Sequence, residues 1–505
     1  MKFILCAAAL ASAWLAPSQA NPWEKEVVYQ IFPRSFYDSN GDHIGDFNGI
    51  SQKLGFLHEM GITVVLINPI FASRVYHNYF ADDFLKTDST LGSNKDFFEL
   101  VGKAHSLRMK VILDMEVQYV ADRHPWYQAV QKDPQSHVAD YLWRKGSAFY
   151  GQNIHWYDGQ KVDIAAINST NPEVKRAILD VFRYWAAPDG DPSRGVDGFR
   201  IDHMMDDLDN KHVMTGMLKN FWLPIEQDIR SQKPHILFLA EQADWGLGSD
   251  MFMNGKVDAA YAIPLRFAFM TFDKLKIEKA LRDTASATPA GKTQLIFIEN
   301  HDLERYANAV RSDRDLLRLG AVFNLTAKGT PLIYYGQELG MRGKQLKGVT
   351  DGNDIPIRLA YRWKHKIDSK GTADFYRNTG VWTKTGATKD NDGISVEEES
   401  GKADSLLNFY KRLIRLRAKT PALQAGSIEI IDTQNPKVLG YDRVLGSQWV
   451  TVFLNLSNTP QVISIGLTNR KFPKNPKTGR PFHYGFHELS PHGFAIIDSR
   501  NKASE

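Results

Sequence analysis

Cysteine is nearly missing from this chain: of 505 residues only Cys6 carries a thiol, and it stands in the first twenty. Disulfides therefore cannot hold the fold together, and stability has to come from a large core, which a bound metal could supplement. An excess of one charge is missing too. The 62 Lys+Arg against 58 Asp+Glu leave a formal net charge of +4, with no dense basic run, so nucleic acid is not an expected partner. There is no solenoid-type repeat and no low-complexity tract. A long apolar run occurs only at residues 3–15, after Lys2 and before Pro17-Ser18-Gln19-Ala20, and it is short for a membrane span. Its flanks are those of a secretory signal cut near Ala20, which predicts a secreted or periplasmic protein without a membrane span in its mature form. Leu5 stands where a lipoprotein cleavage site before Cys6 would need a small residue.

What is present is an alternation. Buried-strand patterns fall at 27–32, 62–67, 109–113, 196–202, 236–240, 295–298 and 331–335, with a weaker one at 258–263, and helical patterns lie between them. One helix runs through Leu54, Leu57 and Met60 to Gly61; another starts at Asn171-Pro172 and keeps Ile178, Val181, Phe182 and Trp185 on one side. Eight strands alternating with helices predict an α/β fold, a closed (β/α)8 TIM barrel. The gap after the third strand is about twice the others and holds Trp126, Trp143 and Trp156, which predicts a small inserted domain. Residues 336–400 are irregular and glycine-rich, with Trp363, Phe375, Tyr376 and Trp382 interspersed, and suit long active-site loops. A helix at 406–416 presents Leu406, Phe409, Tyr410, Leu413 and Leu416, and beyond Pro421 short strands at 438–441, 449–453 and 462–465 predict an antiparallel β-sandwich. The expected division is a signal at 1–20, the barrel at 21–114 and 169–420, the insertion at 115–168 and the C-terminal domain at 421–505.

Four of the barrel strands lead into a carboxylate: Asp114, Asp202, Glu241 and Asp302. Charge at the carboxyl end of a barrel strand is where barrel enzymes do chemistry. Cleavage of a glycosidic bond with retention needs one carboxylate to attack the anomeric carbon and one carboxylic acid to protonate the leaving oxygen, on groups roughly 5 Å apart. Asp202 and Glu241, on adjacent strands, meet that need. Arg200, two residues before Asp202 and on the same side of the strand, would keep it ionised, while Glu241 follows the apolar Leu239 and Ala240 and suits the acid. Asp302 with His301 would grip sugar hydroxyls. A separate loop places Asp38, Asn40, Asp42 and Asp46 at alternating spacing around Gly41 and Gly45, with the Ile44 carbonyl as a further oxygen. That spacing suits Ca2+, although the twelfth position is Gly49 where a helix-hand calcium loop has Glu, which leaves either a calcium loop of another type or a polar turn.

Gly198-Phe199-Arg200-Ile201-Asp202, the strand end at Glu241 and Glu299-Asn300-His301-Asp302 together resemble the motifs of the α-amylase family, glycoside hydrolase family 13. The likeness extends through Tyr76-His77-Asn78-Tyr79 and Gly329-Thr330-Pro331. It implies that Asp202 is the nucleophile, Glu241 the acid/base and Asp302 the transition-state stabiliser, with Arg200, His301, Tyr79 and Asp114 lining the sugar subsite and Tyr79 stacked on the ring. It implies a retaining hydrolase acting on α-glucans or maltooligosaccharides, with a transglycosylase or α-glucosidase of the same family as alternatives and a non-catalytic glucan-binding or partner-binding barrel as the reading from another class. The early loop resembles the calcium site of α-glucosidase-like members. Two motifs depart from the family. Asp114-Met115-Glu116-Val117-Gln118-Tyr119 has Gln118 for the usual calcium-ligating asparagine and Tyr119 for the usual histidine, and Ala165-Ala166-Ile167-Asn168 replaces Pro-Asp-Leu-Asn. The resemblance therefore does not carry over the familiar calcium between barrel and insertion.

Overall fold

The computed structural model describes residues 21–146, 148–151, 153–156, 160–348, 350–377, 379, 389–465 and 485–500; the expected signal with Cys6, and Trp382, lie outside them. Eight parallel strands form a closed barrel: β1 Val28–Ile31, β2 Val64–Ile67, β3 Lys110–Met115, β4 Gly198–Met204, β5 Leu237–Gln242, β6 Ala259–Tyr261, β7 Thr293–Ile296 and β8 Thr330–Tyr334. Strands adjacent in sequence are adjacent in space, and β1 closes the ring by pairing Val28 with Leu332 of β8. The expected strands at 295–298 and 331–335 lie slightly earlier, because the apolar run marks burial rather than pairing. Thr293 and Thr330 begin their strands, joined by their hydroxyls at 3.0 Å, whereas Phe297 is buried past the end of β7.

Alternation along the strands gives the barrel two surfaces. Outward residues such as Val65, Val111, Phe199 and Phe238 pack under the helices, while Val28, Leu66, Ile112, Leu237, Leu239 and Leu332 fill the inside as a separate apolar cluster. Gly198 keeps that inside narrow: a Cβ there would stand 2.9 Å from the Leu237 Cβ and 3.2 Å from Ile112. Toward the carboxyl ends the inward columns turn polar, from Val28 to Gln30, Leu66 to Asn68, Ile112 to Asp114, Gly198 to Arg200 and Leu239 to Glu241. A dry plug thus supports a charged mouth.

The helix Phe47–Met60 is capped by Asp46, which accepts the Gly49 N–H, buries Ile50, Leu54, Leu57 and Met60, and stops at Gly61 in the left-handed conformation, φ 98°. Pro172–Ala186 starts under the Asn171 side chain and buries Ile178, Val181, Phe182 and Trp185 on one face. Between β3 and this helix lie a three-stranded antiparallel sheet of Tyr119–Ala121, Lys161–Ala166 and Asn153–His155 and the helix Pro125–Lys132. On the helix Leu406–Ala418 the buried face includes Leu407, Ile414 and Arg417, while Phe409 and Leu416 are only half-buried. Leu406, Tyr410 and Leu413 lie on that face as expected, and Leu407, Ile414 and Arg417 widen it. An antiparallel sheet of Ser427–Ile430, Val438–Leu445, Gln448–Asn455 and Phe494–Asp498, and a two-stranded pair of Gln461–Ile465 with Gly485–Leu489, follow the barrel. Among the described residues no helix is long and apolar enough to cross a membrane.

Candidate active site

Arg200 and Asp114 are register partners on β4 and β3, and the guanidinium Nη1 lies 2.7 Å from Asp114 Oδ1. The same nitrogen reaches Asp202, two residues on, and Nη2 donates to Glu241 Oε2 at 2.6 Å across the pair with β5. Arg200 and Asp114 are wholly buried and Glu241 is 5% exposed. One buried cation therefore holds three carboxyl groups from three strands. Such a cluster forms only because the partners satisfy one another, since each charge alone would cost several kcal/mol to desolvate.

A second set encloses the first. Asn68, at the end of β2, donates to Asp114 Oδ2 at 2.8 Å, and the Tyr79 hydroxyl donates to the same oxygen at 2.7 Å. Gln30 of β1 approaches His301 Nδ1 at 2.8 Å; an amide N–H donating there leaves the ring proton on Nε2, which lies 3.0 Å from Asp302 Oδ2. Arg358 meets Asp302 Oδ1 at 3.2 Å, donates from Nε to the His301 carbonyl at 2.9 Å and meets Asp354 at 3.2 Å.

The cluster lies at the foot of a cavity of about 360 Å³, with Tyr79, Glu116, Asp202, Glu241 and Asp302 on its wall. Asp202, Glu241 and Asp302 thus come together at one mouth, as does Tyr79. Arg200, Asp114 and His301 lie directly beneath the wall, wholly buried. The Tyr79 ring is stacked on His301, centroids 5.7 Å apart and 12° between planes.

The electrostatics separate the carboxyl groups. Burial, reinforced by the charges of Asp202 and Asp302 against the pull of Arg200, pushes Glu241 up to about 8. Burial also opposes ionisation of Asp202, but Arg200 and then His203 outweigh it and hold this carboxyl below its ordinary range. For Asp302 burial is likewise outweighed, by His301 and then Arg358, and the group stays well below the usual carboxylate range. At neutral pH Glu241 is thus held protonated beside the carboxylates of Asp202 and Asp302, the combination that acid-assisted displacement requires.

Several residues of the site were not anticipated. Glu116, Asn68 and Gln30 carry a signal in the alternation: each is the next inward position above an apolar residue or above Asp114. Arg358 and Asp354 come from a loop 3-10 helix, Asp351–Ile357 and its cap, where no periodicity points anywhere. His203 has φ 42° at a register shift between Ile201 and Met204, and its N–H lies 3.3 Å from Glu241 Oε2. The two departures from the family motif have partners of their own. Gln118 Nε2 donates to the carbonyls of Asp202 and His203 at 3.2 and 3.1 Å, and the Tyr119 hydroxyl donates to Asp209 Oδ2 at 2.6 Å.

In the early loop Asp38 accepts the N–H groups of Asn40, Gly41 and His43, and Asp46 those of Ser39 and Gly49. Both carboxylates are 5% exposed. Among the described residues neither these nor Asp42 forms an ion pair with a basic side chain, and no three His, Cys, Asp or Glu side chains stand together as a ready metal set.

The fold, with a protonated acid beside carboxylates at the carboxyl ends of its strands, is that of a glycoside hydrolase. Comparison with known proteins gives the family. Residues 30–426 match the family model described as "Alpha amylase, catalytic domain", and the chain belongs to the α-amylase family, glycoside hydrolase family 13. It is 29% identical over 466 residues to "Alpha-amylase 3" of Dictyoglomus thermophilum, covering 86% of each chain. It is 27% identical to "Probable oligo-1,6-glucosidase 3" of Bacillus subtilis, over 87% of this chain and 91% of that protein. A solved α-amylase from H. orenii superposes with a TM-score of 0.77 at 27% identity, over 94% of this chain and 99% of that one.

Proposed function

We propose that this protein hydrolyses α-glucosidic bonds in starch-derived glucans or maltooligosaccharides with retention, through a glycosyl-enzyme ester on Asp202. The observation that carries the reading is the single guanidinium of Arg200 between Asp202 and Glu241, with the first carboxyl held ionised and the second protonated. Two groups at the ends of one guanidinium fork are suited to the short separation of a retaining pair, roughly 5 Å. In the first step the Glu241 proton passes to the glycosidic oxygen as that bond breaks, and an Asp202 oxygen bonds to the anomeric carbon. In the second, the Glu241 carboxylate takes a proton from water, the water oxygen bonds to the same carbon, and Asp202 leaves as a carboxylate. Asp302, ionised and steered by His301 and Arg358, accepts hydrogen bonds from sugar hydroxyls as the ring flattens, and Tyr79 borders the same sugar, with Asp114 and Arg200 supporting it from beneath.

An α-glucosidase acting on short oligosaccharides is the second reading, favoured by the relatives named oligo-1,6-glucosidase; sugar rather than water as the acceptor would make the same intermediate a transglycosylase. The test uses an activated 5-fluoro-α-glucosyl fluoride with the purified protein. A mass increment on the peptide carrying Asp202 is expected; an unlabelled protein that turns over maltooligosaccharides normally, or a label elsewhere, overturns the assignment. Product analysis on maltotriose, isomaltose and soluble starch then separates the readings.

The loop oxygens of Asp38, Asn40, Asp42, Ile44 and Asp46 would hold a structural Ca2+. Two buried carboxylates without a basic partner, on a loop of hard oxygen donors, are the feature a cation would complete. Metal analysis after dialysis, with the melting temperature in chelator and in excess Ca2+, tests this: one calcium per chain and a lower melting point in chelator are expected. The signal at 1–20 makes the mature protein secreted or periplasmic in this proposal, and N-terminal sequencing of the exported protein would give a start after Ala20.

A further inference from the structure

Beside Asp202 stands a fourth carboxyl group that the reaction above does not use. Arg200 pairs in register with Asp114, and Ile201 with Met115, so the next inward residue of the β3 line, Glu116, comes level with Asp202. Glu116 is 2% exposed, reaches the cavity wall and shares a side-chain hydrogen bond with Asp202. It is fixed from behind: its carboxyl accepts the Gln118 N–H, while the Gln118 amide holds the carbonyls of Asp202 and His203. Among the described residues no basic side chain pairs with it. Two buried carboxyl groups in contact cannot both ionise, and Arg200 already serves Asp202, so the proton between them belongs to Glu116.

We propose that Glu116 is a positioning residue that sets the strength of Asp202 as nucleophile and leaving group by donating one hydrogen bond to it. The proposal rests on the reading of Asp202 as nucleophile. Burial and then the Asp202 charge push Glu116 well above the usual carboxyl range, which suits it to be the donor of the pair. The titratable groups facing the pair are Arg200 and His203 on β4, Glu241 on β5, Asp302 beyond β7, and His77 and Tyr119 from the loops after β2 and β3. A donor on a carboxylate lowers its basicity. Attack on the sugar is then slightly weakened, whereas departure of Asp202 from the ester, where full negative charge returns to that carboxyl, is assisted.

The test compares Glu116→Gln, which still donates, with Glu116→Met, which fills similar space and does not. With 4-nitrophenyl α-glucoside, the acid limb of kcat/KM is expected to rise by roughly half to one pH unit in Glu116→Met and to stay put in Glu116→Gln. With α-glucosyl fluoride, Glu116→Met is expected to lose about tenfold in kcat and to show a burst, because the ester accumulates. An acid limb identical in wild type and Glu116→Met overturns the proposal, as does equal behaviour of the two variants. Should Glu116→Met fail to fold, infrared difference spectra of wild type against Glu116→Gln at neutral pH decide: loss of one protonated-carboxyl stretch is expected, and its absence overturns the proposal. A fluoro-sugar label on a residue other than Asp202 defeats the reading of Asp202 itself, and this inference with it, by a different observable.

Discussion

Buried arginines serve at both ends of the barrel, in opposite surroundings. At the mouth, Arg200 faces the carboxyl groups of Asp114, Asp202 and Glu241. At the floor, Arg417 and Arg443 face peptide carbonyls. Arg417 donates to Glu24, Gly329 and Leu423 at 2.8, 2.8 and 2.6 Å, and Arg443 to Thr326, Ala327 and Gly426 at 2.8, 2.8 and 2.9 Å. Their targets include the chain just before β1 and β8 and the last carbonyls of the helix Arg314–Thr326, which lack partners within the helix. Burial, and then its Arg443 neighbour, pull Arg417 below the ordinary guanidinium range, whereas for Arg200 the surrounding acids outweigh burial and raise it. At the floor the two guanidinium groups are held by peptide carbonyls of the barrel and of the segments leading into the C-terminal sheet, although Arg417 Nε has no partner among the described residues. The mouth has more acids than Arg200 can serve, and burial, reinforced by that surplus of negative charge, keeps Glu241 protonated at neutral pH.

The comparison can be broken most strongly through Asp202→Asn. Loss of the proposed nucleophile should cost roughly 10⁴-fold in kcat/KM on maltooligosaccharides, while the melting temperature holds or rises; a loss under tenfold would mean that the mouth is merely structural. Arg443→Leu should do the reverse. Carbonyls left bare at the joint should cost about 3 kcal/mol of stability by urea unfolding, with kcat at 25 °C within twofold of wild type, and a large drop in kcat of the folded variant would contradict the division of labour. Weaker again is the pH response. In the proposed reaction Glu241, at about 8, acts in its protonated form, so kcat/KM should fall about tenfold per pH unit above that value, and a flat profile to pH 9.5 would refute the assignment of the acid. The smallest effect sharpens the picture. Because the folded state binds the Glu241 proton more tightly than the unfolded chain does, stability from this group is full below the ordinary glutamate range and is lost as pH rises toward 8. Glu241→Gln should therefore melt about 1–2 °C higher than wild type at pH 8 and show a smaller gain at pH 5, read by calorimetry.

Much of this was legible in the residues because barrel strands announce themselves twice, by apolar runs and by what ends them. Asp114, Asp202 and Glu241 close such runs, and alternation turns each of them inward together with Arg200. Alternation also pointed to Glu116, two positions beyond Asp114, but a motif read letter by letter drew attention to Gln118 and Tyr119 instead. Asp302 and His301 lie past the end of β7, so only the motif placed them. Arg358 was not legible at all: its partners His301, Asp302 and Tyr76 come from segments far away in sequence, and its own segment has no period. Nothing in the sequence around Leu406 and Leu413 marks Arg417 for burial, because the carbonyls that hold it belong to other elements.

The closure of the ring through Val28 and Leu332 has a consequence for how the molecule is made. β1 leaves the ribosome before every other barrel strand, yet one of its two partners is the last of the eight barrel strands to be synthesised. Until then β1 has an open edge that only a chaperone or a distant stretch of its own polypeptide can cover. The slow event in maturation should be this late zipping of first strand to last, and substitutions that weaken the β1–β8 seam should reduce the yield of native protein more than they reduce the stability of molecules already closed.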